Sequence, residues 1–243
     1  MKIATFNVNG VKGRMPRLLE WLAETQPDVA CLQEIKTGDA TFPHQPIEDA
    51  GYGVVWHGQR AHHGVAILAR GEKPVEVRRG LPGDDSDGQA RYMEADVRGL
   101  RVASVYLPNG NPIGSPNFEY KLAWFERLVA HAQALVDAGQ PIILAGDFNV
   151  VPTNADIYNA GTWRFDAVLQ PQTRALYQRL LAQGWVDATR ALHPKHLHLL
   201  GERGGLPPQC GLSHGLPAAE PRARTAPPGY GRRHGAQGPR EAQ

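Results

Sequence analysis

The sequence contains few of the features that mark disulfide-rich, metal-thiolate or redox proteins. It has 243 residues and only two cysteines, Cys31 and Cys210, which are far apart in the chain. Cysteines at this separation form neither a metal-binding nor a redox motif. Cys31 lies within the apolar run Val29-Ala30-Cys31-Leu32, which favours a buried free thiol.

Long apolar runs and an excess of one charge are also absent. No apolar run approaches the length of a membrane span, and the N-terminus enters a strand-like pattern with no signal peptide. The formal net charge is only +2, which leaves the class of partner open. We therefore expect a soluble, cytoplasmic protein that has no membrane partner and is a monomer.

Hydrophobic patterns typical of helices and strands continue to about residue 194. Apolar residues at helical spacing predict helices, and alternating or continuous apolar runs predict strands. The predicted helices are 14–24, 118–138 and 173–183, the last closed by Gly184. The predicted strands are 2–8, 27–33, 52–56, 64–69, 75–79, 91–97, 101–107 and 141–145. Several consecutive strands between helices favour a sheet packed on a sheet with helices outside.

The stretch Gly146-Asp147-Phe148-Asn149 is the most informative part of the chain. It follows the apolar run 141–145, so Asp147 and Asn149 come where a buried strand gives way to a loop. Because Asp147 and Asn149 are two residues apart, their side chains point to the same face of an extended segment. A carboxylate and an amide oxygen there suit a hard cation or a phosphate. A turn in which both side chains bond their own backbone is the alternative.

Polar side chains also close three other predicted strands. Asn7 ends the first strand, Glu34 follows the second, and Tyr106 ends a later one. Singly, Glu34 would be read as a surface acid and Tyr106 as half-buried packing. Because these side chains recur at strand ends, a sheet edge would bring them together. The set predicts a divalent-metal site that binds a phosphate.

Several motifs closely resemble the exonuclease III branch of the endonuclease/exonuclease/phosphatase superfamily. The match extends over roughly residues 1 to 194, and the order and spacing of the motifs make it specific. The motifs are Asn7-Val8-Asn9-Gly10, Leu32-Gln33-Glu34-Ile35-Lys36, His63-Gly64-Val65-Ala66-Ile67, Tyr106-Leu107-Pro108-Asn109-Gly110, Gly146-Asp147-Phe148-Asn149 and Pro152-Thr153-Asn154-Ala155-Asp156.

The resemblance implies both a fold and an activity. The fold is an α/β four-layer sandwich, with two mainly antiparallel sheets flanked by helices. Family members use Mg²⁺ or Mn²⁺ to cleave DNA phosphodiesters, as 3′-to-5′ exodeoxyribonucleases and as endonucleases at abasic sites. The implied partners are therefore double-stranded DNA and abasic-site DNA.

The resemblance also assigns roles to individual residues. Glu34 matches the metal-binding glutamate, and Asp147 matches the acid that orients or deprotonates the attacking water. Tyr106 matches the tyrosine whose hydroxyl contacts the scissile phosphate or the leaving group. The resulting expectation is a catalytic set of Tyr106, Asp147 and Asn149, a metal set of Asn7, Glu34, Asp147 and Asn149, and a DNA-binding set of Arg91, Asn109 and Lys121. For Arg91 and Lys121, solvated surface charge is an equally good interpretation.

The chain departs from the family after residue 194. The segment 195–243 is rich in Gly, Pro and Arg, and Asp187 is the last aspartate. The family's terminal Asp-His pair, which binds the phosphate, therefore has no counterpart. We predict an incomplete family domain at 1–194, lacking its C-terminal strands, followed by an aberrant, disordered tail.

A shifted reading frame is our hypothesis for this tail. His196 to Glu202 can be encoded by bases that, translated in a frame shifted by one base, give Ile-Tyr-Thr-Phe-Trp-Glu, a family-like strand. Ser213 to Glu220 can spell Arg-Met-Asp-Tyr-Leu-Leu-Leu-Ser in the same frame. Gly238 to Gln243 plus a stop codon can spell Gly-Pro-Glu-Lys-Pro-Ser-Asp. A divergent natural tail is the alternative.

Three functions follow from these observations. The first is a metal-dependent DNA phosphodiesterase of repair, impaired in this chain by loss of the terminal Asp-His pair. The second is a non-catalytic remnant that binds metal or DNA weakly. The third keeps the fold but acts on RNA or a small phosphorylated substrate. The motif Asn109-Gly110-Asn111-Pro112 after Tyr106 favours DNA over this third substrate class.

Overall fold

Two sheets form the centre of the molecule. The computed structural model describes residues 1–157, residues 159–192 and the backbone of residues 209–214. The first sheet has the order β1-β2-β4-β3, with β1 (Ile3–Asn7), β2 (Val29–Gln33), β3 (Tyr52–His57) and β4 (Val65–Arg70). The second has the order β5-β6-β7-β8-β10-β9, with β5 (Val75–Arg79), β6 (Tyr92–Val97), β7 (Leu100–Tyr106), β8 (Ile142–Asp147), β9 (Val186–Asp187) and β10 (Gln209–His214).

Helices lie between these strands in the chain. They are α1 (Val11–Thr25), α2 (Gln45–Asp49), α3 (Pro116–Asp137), α4 (Pro171–Ala182) and α5 (Ala188–Leu192). The three predicted helices are confirmed as α1, α3 and α4, whereas α2 and α5 were not predicted. Both α3 and α4 begin at a proline, whose fixed φ suits the first helical position. None of the described helices is long and apolar enough to cross a membrane.

Side chains from the two sheets form the middle of the core. Cys31 and Ile67 of the first sheet pack in one cluster with Met93 and Val102 of the second. On the outer side of the first sheet lie α1 and α2, and on the outer side of the second lie α3 and α4. The predicted order of helices, sheet, sheet and helices is therefore confirmed. Cys31 is a buried free thiol, as predicted, and burial raises its pKa to about 12.

Parallel pairing is confined to two places among the described strands. Strand β1 pairs in parallel with β2, and β7 pairs in parallel with β8. The other described pairs are antiparallel, which confirms the expectation of two mainly antiparallel sheets. In a parallel pair both strands end at the same edge of the sheet. Asn7 therefore ends level with Gln33, and Tyr106 ends level with Asp147.

Strands β9 and β10 lie where the sequence predicted none. Strand β10 runs antiparallel to β8, with Gln209 opposite Asp147 and His214 opposite Ile142. It also pairs with the short strand β9. For these six residues the expectation of a disordered tail is wrong, because main-chain hydrogen bonds to β8 do not require a hydrophobic pattern. The rest of the predicted tail lies outside the described residues.

Gly146 allows β8 to lie closely against its neighbour. A Cβ atom at this position would be 1.9 Å from the carbonyl oxygen of Val105 in β7 and 2.7 Å from its carbonyl carbon. Both contacts are with backbone, so no side-chain rotation relieves them. The glycine is thus required by the sheet itself, one residue before Asp147.

We predict that Gly146→Ala destabilises the protein by at least about 1–3 kcal/mol, the usual cost of overpacking. The control is Gly13→Ala, because Gly13 lies in α1 and a Cβ there meets nothing within 4 Å. That change should stabilise by up to about 1 kcal/mol, since alanine loses less entropy in a helix. Urea denaturation of both variants measures the two effects. Equal stability of Gly146→Ala and wild type would contradict the packing argument.

Candidate active site

Four polar residues meet where the two parallel strand pairs end. Asn7 is the last residue of β1, and Glu34 follows β2 directly. Tyr106 and Asp147 are the last residues of β7 and β8. The site therefore takes two residues from each sheet. This placement was predicted from the strand ends in the sequence, and the structure brings all four residues together.

A single amide group joins the two carboxylates. The side-chain nitrogen Nδ2 of Asn7 lies 2.8 Å from Glu34 Oε1 and 3.3 Å from Asp147 Oδ2, and it donates to both. The orientation of this amide is fixed because its Oδ1 accepts the backbone N–H of Asn9 at 3.1 Å. Tyr106 also donates its hydroxyl to Glu34 Oε1 at 3.0 Å. The expectation that Glu34 and Asp147 share one site is thus confirmed.

The loops that carry these side chains adopt unusual backbone conformations. Glu34, Lys36 and Asn149 have φ values of 55°, 51° and 43°, in the left-handed region that residues with a Cβ rarely adopt. The turn after Glu34 is held by the backbone bonds Ile35 N–H to Gly64 O and Lys36 N–H to His63 O. Strained backbone of this kind clusters at functional sites. It supports a functional interpretation of this edge.

The two carboxylates ionise at different pH. The pKa of Asp147 is raised to about 6, because burial of the carboxylate outweighs the hydrogen bonds from Asn149 N–H and Asn7. Burial also opposes ionisation of Glu34, but the hydrogen bonds from Asn7, Lys36 and Tyr106 outweigh it and lower its pKa. A pair of acids whose pKa values are moved apart can divide the roles of charged ligand and proton acceptor.

The donors at this edge fit one hard cation. Within the described ranges no group of three or more His, Cys, Asp and Glu side chains could hold a metal ion. Mg²⁺, however, is usually held by one or two carboxylates, with water and phosphate oxygens completing its shell. The ammonium of Lys36 already lies 2.8 Å from Glu34 Oε2 and 2.5 Å from Asn9 Oδ1. A cation therefore suits this side of Glu34.

Asn149 contacts this edge mainly through its backbone. Its N–H donates to Asp147 Oδ1 at 3.0 Å, which orients the carboxylate. Its side-chain Nδ2 donates to Leu107 O at 2.8 Å, and its Oδ1 accepts from Asn109 Nδ2 at 3.3 Å. The predicted metal or phosphate contact of Asn149 stays a prediction. Asn109 is exposed, so its predicted contact with DNA is compatible with its position.

Arg91 supports Tyr106 and is largely buried. Its guanidinium lies 4.7 Å from the centre of the Tyr106 ring, and its Nη1 donates to Tyr106 O at 3.3 Å. His63, which the sequence did not single out as a site residue, lies beside them with its Nε2 3.4 Å from Arg91 Nη2. Burial and the charge of Arg91 lower the His63 pKa to about 4. No spacing in the sequence indicates this, because His63 reaches the site through a loop.

Lys121 is not placed for its predicted contact with DNA. Its side chain is 0% exposed, so the structure gives DNA no access to it. The ammonium donates to two backbone carbonyls, Asn109 O at 3.0 Å and Asn149 O at 2.6 Å. The family resemblance placed Lys121 in the DNA-binding set, and neither that contact nor the alternative of a solvated surface charge agrees with its burial.

Comparisons with known proteins agree with this geometry. A model of the Endonuclease/Exonuclease/phosphatase family matches residues 4–234. The chain is 37% identical to exodeoxyribonuclease III of Haemophilus influenzae over 205 residues, which cover 80% of this chain and 76% of the relative. It is 32% identical to an exodeoxyribonuclease of Bacillus subtilis over 198 residues, with the same coverage of both chains.

Solved structures give the same result. A 3′-5′ exonuclease from Neisseria meningitidis superposes with a TM-score of 0.82 and 35% identity. An AP endonuclease from Archaeoglobus fulgidus gives 0.81 and 32%. Each comparison covers 88% of this chain and 86% of the other.

We predict that Asp147→Asn flattens the pH dependence of stability between about pH 4 and 7. The Asp147 pKa is raised to about 6 in the folded protein, whereas an unfolded aspartate titrates near 3.9. Its contribution to stability is therefore present at low pH and is lost as pH rises through about 6. Because asparagine cannot ionise, the variant should gain about 1–3 kcal/mol relative to wild type over this range.

Urea denaturation at a series of pH values measures this difference. The matched change Asp85→Asn, at an exposed loop position, is the control and should follow the wild-type curve. Parallel curves for Asp147→Asn and wild type would show that Asp147 titrates as in the unfolded chain.

Proposed function

The chain belongs to the endonuclease/exonuclease/phosphatase family as an exonuclease III-type hydrolase, and from this premise we propose that it is a metal-dependent DNA phosphodiesterase of repair. The proposed reactions are 3′-to-5′ exonuclease cleavage and incision of DNA at abasic sites. The relatives named exodeoxyribonuclease III and AP endonuclease support these two reactions. The proposed cofactor is Mg²⁺ or Mn²⁺.

One observation carries the proposal. Asn7 Nδ2 donates to both Glu34 and Asp147, so two carboxylates from different sheets face one small volume. A structural role alone does not account for this arrangement, because Asp147 is buried and its ionised form is disfavoured there. A buried acid beside a second, ionised acid is a typical arrangement for proton transfer.

Glu34, with Asn7 beside it, would hold the metal ion. Bound there, the ion would offset negative charge on the phosphate and orient it. Glu34 is suited to this role because its lowered pKa keeps it ionised at neutral pH. The ammonium of Lys36, 2.8 Å from Glu34 Oε2, shows that this carboxylate is accessible to a cation.

Asp147 and Tyr106 would act on the water and the phosphate. Asp147 takes a proton from the attacking water. At the same time the water oxygen bonds to phosphorus, and the bond from phosphorus to the leaving oxygen breaks. The pKa of about 6 leaves Asp147 ionised and able to accept this proton at pH 7. Burial and the charge of Glu34 raise the Tyr106 pKa, so its hydroxyl stays protonated. This hydroxyl, which donates to Glu34 in the structure, would turn to donate to a phosphate oxygen of the bound substrate.

A basic cleft beside Glu34 supports DNA as the substrate. Lys12, Lys36 and Arg60 line an open cleft of about 480 Å³. The one acidic residue on its wall, Asp39, is paired with Arg79 at 2.6 Å. The lining is thus positive overall, which favours a phosphate backbone.

Loss of the terminal Asp-His pair supports a second candidate, a non-catalytic remnant with weak metal or DNA binding. We propose that the chain retains a working active site that cleaves DNA at a reduced rate, because the groups that would hold the ion and accept the proton remain. The missing histidine would have stabilised charge on the phosphate in the transition state. Reduced but measurable cleavage favours the first candidate, and none at any metal concentration favours the second.

We predict that Glu34→Gln weakens the apparent Mg²⁺ affinity, measured by cleavage of an abasic-site duplex, by at least about 10-fold. This is the smaller effect that follows when a residue supporting a metal ligand is lost, and loss of a ligand itself should cost no less. The fold should be preserved, because glutamine can still accept from Asn7 and Tyr106. Glu24→Gln, at an exposed position in α1, is the matched control. A Mg²⁺ titration curve identical to wild type would contradict the metal-binding role of Glu34.

We predict that a chain translated in the shifted frame from about codon 195 cleaves the same duplex about 100- to 1,000-fold faster, the usual effect of one lost electrostatic donor. Sequencing the coding DNA first shows whether that frame encodes the family motifs. Equal rates of the two forms would mean that this chain has another phosphate ligand. A shifted frame without the Asp-His pair would disprove the frameshift hypothesis.

A further inference from the structure

Lys121 presents a buried charge that the proposed chemistry does not use. It lies near the start of α3, and its side chain is 0% exposed. In the part of the chain that the structure describes, its ammonium forms no ion pair, and its hydrogen bonds go to backbone carbonyls. The charges of Asp147 and Asp166 favour its ionised form without contacting it. A buried charge without a contacting partner is costly. An apolar side chain would fill the same space without this cost, so the lysine calls for a functional explanation.

The two carbonyls belong to two different loops of the candidate site. Asn109 lies in the loop after Tyr106, and Asn149 lies in the loop after Asp147. Lys121 therefore ties the ends of β7 and β8 to α3 through one atom. The Asn109 side chain also bonds to Asn149, but Asn109 is exposed. Lys121 is thus a buried polar link between these loops and the helix.

The packing of the lysine stem fixes the loop after Tyr106. Gly110 has φ 85°, and a Cβ there would lie 2.5 Å from Lys121 Cδ. The backbone of this loop thus rests directly on the methylene groups of Lys121. The ammonium bond and this contact together leave the loop little freedom.

The bond to Asn149 O orients Asp147 indirectly. Asn149 has a left-handed backbone with φ 43°, and its N–H points to Asp147 Oδ1 at 3.0 Å. The ammonium holds the carbonyl at the other end of the same residue. If Lys121 were lost, the strained conformation of Asn149 could relax, and its N–H would turn away from the carboxylate.

We propose that Lys121 is a positioning residue that holds Asn109 and Asn149 so that the Asn149 N–H aims the Asp147 carboxylate at the attacking water. This inference rests on the proposed function for its catalytic consequence. The positioning itself can be measured without any substrate. Lys121 acts on the reaction only through Asn149 and Asp147.

The test compares Lys121→Met with Leu128→Ala. Methionine keeps most of the length of the side chain but removes the charge and the donors. Leu128 is 0% exposed, lies in α3 and packs against the second sheet, so its truncation weakens the core away from the site. Both variants are measured by cleavage kinetics on abasic-site DNA and by NMR hydrogen exchange of the Asn149 amide.

For Lys121→Met we expect kcat to fall by about 100-fold at unchanged KM, as for a misplaced catalytic group. The Asn149 amide should exchange at least 10-fold faster than the change in global stability explains. Leu128→Ala should lower stability and leave both values close to wild type. If Lys121→Met keeps the wild-type kcat and the wild-type exchange of Asn149, the proposal is overturned.

Two further measurements keep the test decisive. If Lys121→Met does not fold, Lys121→Gln takes its place in the test. Glutamine retains one donating group, so kcat and the exchange of the Asn149 amide should change in the same direction but by smaller factors. Wild-type values in that variant would overturn the proposal. If the wild-type chain does not cleave DNA, the proposed function fails, and the exchange of Asn149 alone decides whether Lys121 positions the loop.

Discussion

The hydrogen bonds from the Asn7 amide to Glu34 and Asp147 join parts of the site that belong to different sheets. The bond to Glu34 lies within the first sheet, whereas the bond to Asp147 crosses to the second, so the complete site exists only when the sheets pack correctly. Gln33 and Ser104 make a second buried link nearby, at 3.2 Å, one residue before Glu34 and two before Tyr106. Hydrogen bonds between the layers define the position of one sheet relative to the other, whereas apolar contacts alone would let the sheets slide.

Burial acts in opposite directions on the acid and the base of this region. It raises the pKa of Asp147 to about 6 and lowers that of Lys121 to about 7, and each group's charge favours the ionised form of the other. Both values move toward neutrality because the interior disfavours charge of either sign. The protein accepts this cost where α3, β7 and β8 meet. A hydrophobic core of the same shape would be more stable, but it would lack these two ionisable groups.

The sequence predicted the layers and the meeting point of the main residues for identifiable reasons. A short apolar run such as 141–145 indicates a buried strand, and a polar residue directly after such a run marks the end of the strand. The failures have equally physical causes. The burial of Lys121 depends on the position of Gly110 and on two backbone carbonyls, none of which leaves a pattern in the sequence. His63 reaches Tyr106 through a loop of left-handed residues, whose course depends on tertiary packing.

Strand β10 shows how differently the fold and the chemistry depend on sequence. Its backbone pairs along β8 as far as Asp147, so it covers the edge that β8 would otherwise present. Main-chain hydrogen bonds are available to almost any residue, and a segment without a hydrophobic pattern can therefore complete the sheet. A phosphate ligand depends instead on one side chain at one position. The frameshift that we propose would therefore leave backbone support beside β8 in place, although it would remove the Asp-His pair.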